Sequence, residues 1–173
     1  METKIRRIVS GIKNKIIDAS IQSLRQEGLR FSVDVLAERL RISKKTIYKY
    51  FPTKEALAYA MYERYYEKLR EKIRTLVQQG RDTPEEELLL CYLDSAKMVS
   101  REIFNKYSLN QVIGDFALNG HAAVWKAIRP YVCKTMTDEE AKIYQLIFDG
   151  ALERTIACKA DPAAVIEMLR KIK

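Results

Sequence analysis

The stretch Arg41–Glu55, RISKKTIYKYFPTKE, decides how this chain folds. Ser43 can cap a helix, because its side-chain oxygen accepts from an amide of the first turn, and a short helix is therefore predicted over 44–50. Ile47 and Phe51 stand four apart, so they share one face and turn inward together. Lys44, Lys45, Thr46, Tyr48, Lys49 and Tyr50 are left on the other faces. Those are residue types that contact a duplex: lysine reaches phosphate or guanine, threonine a base edge or thymine methyl, and a tyrosine hydroxyl a phosphate. Pro52 has no amide hydrogen to carry the helix on, and Thr53 caps the next one.

Working back from that stretch, Ser32 caps a second short helix over 33–40, with Val33, Leu36, Ala37 and Leu40 as its buried face. A longer helix precedes it over 12–27, burying Ile16, Ile17, Ala19, Ser20 and Leu24, with Gly28 at its C-terminal end. Only Arg41-Ile42-Ser43 joins the two short helices, too few residues for an antiparallel pair. They must cross steeply, as in a helix-turn-helix. The helix starts after Ser32 and Thr53 offer oriented amides to a phosphate, and Lys54 adds a cation at the second.

Charge agrees with this division of labour. The chain has 173 residues and a net charge of +8. Residues 1–80 hold 18 Lys and Arg against 9 Asp and Glu, and the remainder holds 13 against 14, so the whole basic excess lies in the N-terminal part. Such asymmetry fits one end that meets a polyanion. No apolar run approaches the roughly 18 residues of a spanning helix, and no signal-like segment follows the basic start, so a cytoplasmic protein is expected. Cys91, Cys133 and Cys158 lie too far apart for a metal-ligand pair and are expected to be buried small hydrophobes.

Strand signals are nearly absent, and the chain reads as all-α. After Thr53 a long helix carries Leu57, Met61, Tyr65, Leu69, Ile73 and Val77 at successive turns up to Gly80. Thr83-Pro84 opens the next, which is expected to reach Asn105. Helices follow over 108–118 and 120–134, broken near Asn119-Gly120. Asp138, Glu139 and Glu140 start one that reaches Lys159, and Asp161-Pro162 starts the last. Tyr92, Phe104, Tyr107, Phe116, Trp125, Tyr144 and Phe148, with His121 as a polar partner, are the candidates for lining an apolar pocket. His121 has no cysteine or acidic partner at ligand spacing. No phosphate loop, nucleophile elbow or two-histidine metal motif is present, so neither an enzyme nor a metal or cofactor site is expected.

Residues 13–57, KNKIIDASIQSLRQEG…FSVDVLAERLRISKKTIYKYFPTKEAL, resemble the DNA-binding domain of the TetR family of bacterial transcriptional repressors. The matching positions are Ile16 through Gly28, Leu36-Ala37, Ile42-Ser43, and Thr46-Ile47-Tyr48, Tyr50-Phe51, Lys54-Glu55 and Leu57. The resemblance implies base or phosphate contacts from Lys44, Lys45, Thr46 and Lys49, and phosphate contacts from Tyr48, Tyr50, Lys54 and the helix end at Ser32. Three positions depart from the family pattern: Arg41 replaces a turn glycine, Asp34 stands where a basic residue often approaches phosphate, and Leu24 replaces a phenylalanine.

The resemblance further implies a helix-turn-helix domain over 1–52 and a helical effector-binding and dimerisation domain over 53–173, with 53–79 as a connecting lever. A repressor that binds a palindromic operator as a homodimer and is released by a small molecule is the expected function. Ile143, Leu146, Ile147, Gly150 and Ala151, with Val165, Leu169 and Ile172, are the expected dimer seam. The alternative is a DNA-binding module whose bundle holds a protein partner and has no effector pocket.

Overall fold

The computed structural model describes residues 2–27, 32–78, 85–99, 111–158 and 161–171. Among them there are eight helices and no strand: α1 Glu2–Glu27, α2 Val33–Leu40, α3 Lys44–Tyr50, α4 Lys54–Gln78, α5 Glu85–Lys97, α6 Gln111–Val132, α7 Asp138–Cys158 and α8 Pro162–Arg170. The all-α expectation holds. Internal packing divides the chain into two compact units, one of residues 1–65 with 102–116 and one of residues 66–101 with 117–173.

In the first unit α1 packs on α2 and α2 on α3. The apolar spacing of α1 explains its buried side: Ile16, Ile17, Ala19 and Ile21 are covered, and Ser20 disposes of its hydroxyl on the Ile16 carbonyl at 2.7 Å. The helix starts at Glu2, ten residues earlier than its apolar periodicity suggests. Val33, Leu36 and Ala37 form the buried stripe of α2, with Leu40 half-buried at its end, and Ile47 is the buried residue of α3.

Helix α4 buries more than a repeat of four predicts. Each step of four overshoots a turn by about 40°, so the covered stripe winds around a long helix. Tyr62 and Tyr66 are buried beside Leu57, Met61, Tyr65, Leu69 and Ile73, and at the far end Leu76 is covered while Val77 is half-buried. Thr53 starts this helix, its Oγ1 accepting from the Ala56 amide at 3.1 Å.

In the second unit α5 packs against α7 and α8, and α7 against α8. Helix α5 ends at Lys97, eight residues short of the expected Asn105, closing in a turn where the Met98 amide reaches the Ser95 carbonyl. The expected break at Asn119-Gly120 does not occur. Helix α6 runs unbroken from Gln111 to Val132 because Gly120 is used for space: a Cβ there would lie 2.3 Å from the Tyr66 ring. Tyr66 fills that notch and donates from its hydroxyl to the Ala117 carbonyl at 2.8 Å. Cys91 and Cys133 are buried as expected, and Cys158 is exposed near the end of α7. The side chain of Leu24 and the expected features at Gly28, Gly80 and Thr83-Pro84 lie outside the described residues.

Candidate nucleic-acid interface

The turn between α2 and α3 is built from backbone hydrogen bonds that one residue makes possible. Arg41 adopts φ 53° and ψ 43°, the left-handed region, and is the one non-glycine residue with positive φ among those described. The Arg41 amide donates to the Glu38 carbonyl and the Ile42 amide to the Ala37 carbonyl, both at 3.0 Å. This pair of bonds is a Schellman closure, which satisfies the last carbonyls of α2 and turns the chain sharply. An arginine therefore takes the backbone geometry that glycine adopts more cheaply, and the turn keeps its shape.

Beyond the turn, Ser43 Oγ accepts from the Thr46 amide at 3.1 Å and lies 2.9 Å from the Thr46 hydroxyl. Ser32 Oγ caps α2 by accepting from the Val35 amide, also at 3.1 Å. Ile47 and Phe51 are buried to 1% and 3% exposure, anchoring α3 on one side, and Lys13 Nζ sits 5.8 Å from the centre of the Phe51 ring. That anchoring orients the rest. Lys44, Lys45, Tyr48, Lys49 and Lys54 are exposed, whereas Thr46, Tyr50 and Ser32 are half-buried. One pairing was not visible in the sequence: Lys44 Nζ forms an ion pair with the Asp34 carboxylate from the first turn of α2.

The second unit gathers the predicted aromatic residues around Tyr92. Its ring stacks on His121 at 4.4 Å and 16°, meets Trp125 at 5.0 Å and lies 5.8 Å from Phe148. Tyr144 joins at 6.4 Å from Trp125 and 6.1 Å from Phe148. Phe116 stands elsewhere, 4.5 Å from Tyr59 within the first unit. Phe104 and Tyr107 lie outside the described residues.

Polar groups that the sequence reading omitted tie this cluster together. The Tyr92 hydroxyl donates to Asp149 Oδ1 at 2.7 Å, and Ser95 Oγ, which donates to the Tyr92 carbonyl, lies 2.6 Å from His121 Nδ1. With the serine proton so used, a neutral imidazole donates from Nδ1–H to Ser95 and keeps Nε2 as an acceptor. Burial pushes the His121 imidazole down to about 4, and burial with the Asp149 bond pushes the Tyr92 phenol well above its ordinary range. Burial also raises the Asp149 carboxyl, against the opposing effect of the Tyr92 hydrogen bond. A signal existed: Asp149 interrupts the apolar run Leu146-Ile147-Phe148 one residue after a core phenylalanine.

Helix α7 is apolar on two opposite faces. Ala141, Tyr144, Phe148 and Leu152 are buried, whereas Ile143, Leu146 and Ile147 are 52%, 74% and 44% exposed. Gly150 lies on the exposed side, where an added Cβ would meet nothing within 4 Å, and Ala151 is half-buried. On α8 Met168 is exposed and Val165 half-buried. The side chain of Leu169 and the whole of Ile172 lie outside the described residues.

The family model for bacterial regulatory proteins of the tetR family matches residues 16–61, which span α1 from its first buried isoleucine through α2, the turn, α3 and the start of α4. No curated protein matches the chain. The match makes this N-terminal region a tetR-type helix-turn-helix and the chain a DNA-binding transcriptional regulator. Among the described residues no helix is long and apolar enough to cross a membrane.

Proposed function

We propose that this chain, a regulator whose residues 16–61 carry the tetR-family DNA-binding domain, is a homodimeric repressor that a small molecule releases from its operator. The observation that carries the reading is the pair of buried anchors on α3. With Ile47 and Phe51 covered, Lys45, Tyr48 and Lys49 are left exposed on the helix that a major groove would take. Thr46 is the candidate for a base edge, Lys44 for a base or phosphate, and Tyr48, Tyr50, Lys54 and the α2 start at Ser32 for phosphates. In this reading 1–52 is the DNA-binding domain and 53–173 the effector and dimerisation domain.

The outward face of α7 supports the dimer. Ile143, Leu146 and Ile147 form an exposed apolar stripe that a second copy would bury, and Gly150 on the same side would let the helices approach closely. A palindromic operator would then require the two α3 helices to be presented about 34–36 Å apart, one duplex turn. The Tyr92–Trp125–Tyr144–Phe148 cluster with its His121 and Asp149 groups supports an effector site in the second unit. Helix α4 continues without interruption from Lys54 to Gln78, which suits it to carry an effector-driven displacement toward the DNA-binding domain. The effector must bind the DNA-incompetent state better than the competent one, or no release follows.

Selection of bound fragments from random genomic DNA at moderate salt tests the reading. A two-fold symmetric site is expected. Equal affinity for every duplex would overturn it. A monomer that still reads one half-site would instead favour a bundle that holds a different protein.

A further inference from the structure

We propose that Asp34 is a positioning residue of the DNA interface, tying up the Lys44 ammonium in an ion pair that a phosphate must displace, and thereby lowering the electrostatic, salt-dependent part of the affinity for DNA. The inference rests on the reading that α3 faces DNA. Asp34 belongs to the first turn of α2 and Lys44 is the first residue of α3; the left-handed turn at Arg41 brings them together from ten positions apart. Their side chains are 65% and 52% exposed, so the pair stands in water where a phosphate oxygen can compete for the ammonium. Lys45 and Lys49 make no ion pair among the described residues, so the two lysines face a duplex with their charge uncompensated while Lys44 does not.

The consequence follows from counterion release. Each lysine that neutralises a phosphate steepens the fall of log K with log salt by about 0.9. A lysine already neutralised by a carboxylate contributes little to that slope. Affinity for operator and for random duplex falls by the same factor, because a phosphate contact carries no sequence information, so the ratio between them is unchanged while the salt dependence of both is reduced. Asp34 thus sets the strength of DNA binding and its response to salt from the first turn of α2, outside the α3 helix itself.

A double-mutant cycle tests this on the full chain, with operator and random duplexes titrated at several salt concentrations. Asp34→Asn is expected to steepen the salt slope by about 0.9 per bound subunit, which is about a 3.5-fold larger loss over a fourfold rise in salt. Operator and random affinities should both rise, by similar factors. Lys44→Ala should leave the slope nearly unchanged beside Asp34 and flatten it by about 0.9 in the Asp34→Asn background. Equal effects of Lys44→Ala in both backgrounds would overturn the proposal, because Asp34 would then act only as a charge that repels DNA. A wild-type protein whose binding does not respond to salt would instead overturn the interface reading itself, and this inference with it. Both side chains are at the surface, and unchanged helical circular dichroism in all variants excludes misfolding as the cause.

Discussion

At the residue scale, two side chains sit in environments with measurable costs. A left-handed backbone costs an ordinary L-residue about 1–2 kcal/mol, and glycine escapes that cost while losing about 0.5–1 kcal/mol more chain entropy on folding. Arg41→Gly is therefore expected to leave stability unchanged or raise it by up to ~1 kcal/mol, whereas Arg41→Val should lower it by ~1–2 kcal/mol, since a β-branched side chain tolerates φ 53° worst. Urea unfolding midpoints in the order glycine, arginine, valine would agree; a valine variant as stable as the parent would contradict the strain. His121 is the chain's one histidine, and burial holds its ring near 4. The unfolded ring takes its proton near 6.5, so between about 6.5 and 4 the unfolded state carries more protons than the folded one. The stabilising contribution of the neutral ring is thus whole above pH 6.5 and declines as the pH falls toward 4, by on the order of 3 kcal/mol. Asp149 acts in the opposite sense, its raised carboxyl favouring the fold at low pH, so the comparison must be made against His121→Gln. That variant should lose stability less steeply than the parent between pH 6.5 and 4.5, and parallel curves would remove His121 from the account.

At the scale of elements, α6 teaches more than its length. Asn119-Gly120 has the composition of a break, and by local preference a glycine inside a helix costs about 1 kcal/mol relative to alanine. The helix continues because the missing Cβ makes room for the Tyr66 ring, which is buried and tied to the Ala117 carbonyl. Gly120→Ala should therefore destabilise the protein by ~1–3 kcal/mol despite alanine's better helix propensity, through overpacking against a ring that cannot retreat. A denaturant series showing stabilisation would return Gly120 to a purely local role. The start of α7 shows the reverse, local chemistry that a tally of acidic residues obscures. Thr137 and Glu140 form a reciprocal capping box: the Thr137 amide donates to Glu140 Oε2 at 2.7 Å, and the Glu140 amide donates to Thr137 Oγ1 at 3.3 Å. Asp138 and Glu139 only add favourable charge to an end already fixed by Thr137. The backbone hydrogen bond holds the Glu140 carboxyl below its usual range, so this cap is intact above the ordinary glutamate value and weakens as acid protonates it.

At the scale of the whole molecule, the proposed dimer is the feature most open to test. Among the described residues Leu146 is the most exposed large apolar side chain of α7, so Leu146→Asp should leave the fold intact and yield a monomer by sedimentation velocity at micromolar concentration. Operator affinity should fall at least tenfold with it, since both half-sites must be held at once. An undisturbed dimer would move the seam off this face. The sequence by itself determined the all-α class and the DNA-binding element, because caps at Ser32, Ser43 and Thr53 and the Ile47/Phe51 spacing act over four residues or fewer. It also marked both faces of α7, since apolar residues opposite a buried stripe stand out by periodicity alone. Only the tertiary structure decided that Arg41 closes the turn, that Gly120 is a notch, that Asp34 reaches Lys44, and that Tyr92 joins Ser95, His121 and Asp149. The Arg41 closure is a backbone conformation that side-chain spacing does not record, and the Gly120 notch, the Asp34–Lys44 pair and the reach of Tyr92 and Ser95 to Asp149 and His121 depend on where a second element brings its side chain, across ten to nearly sixty residues of chain.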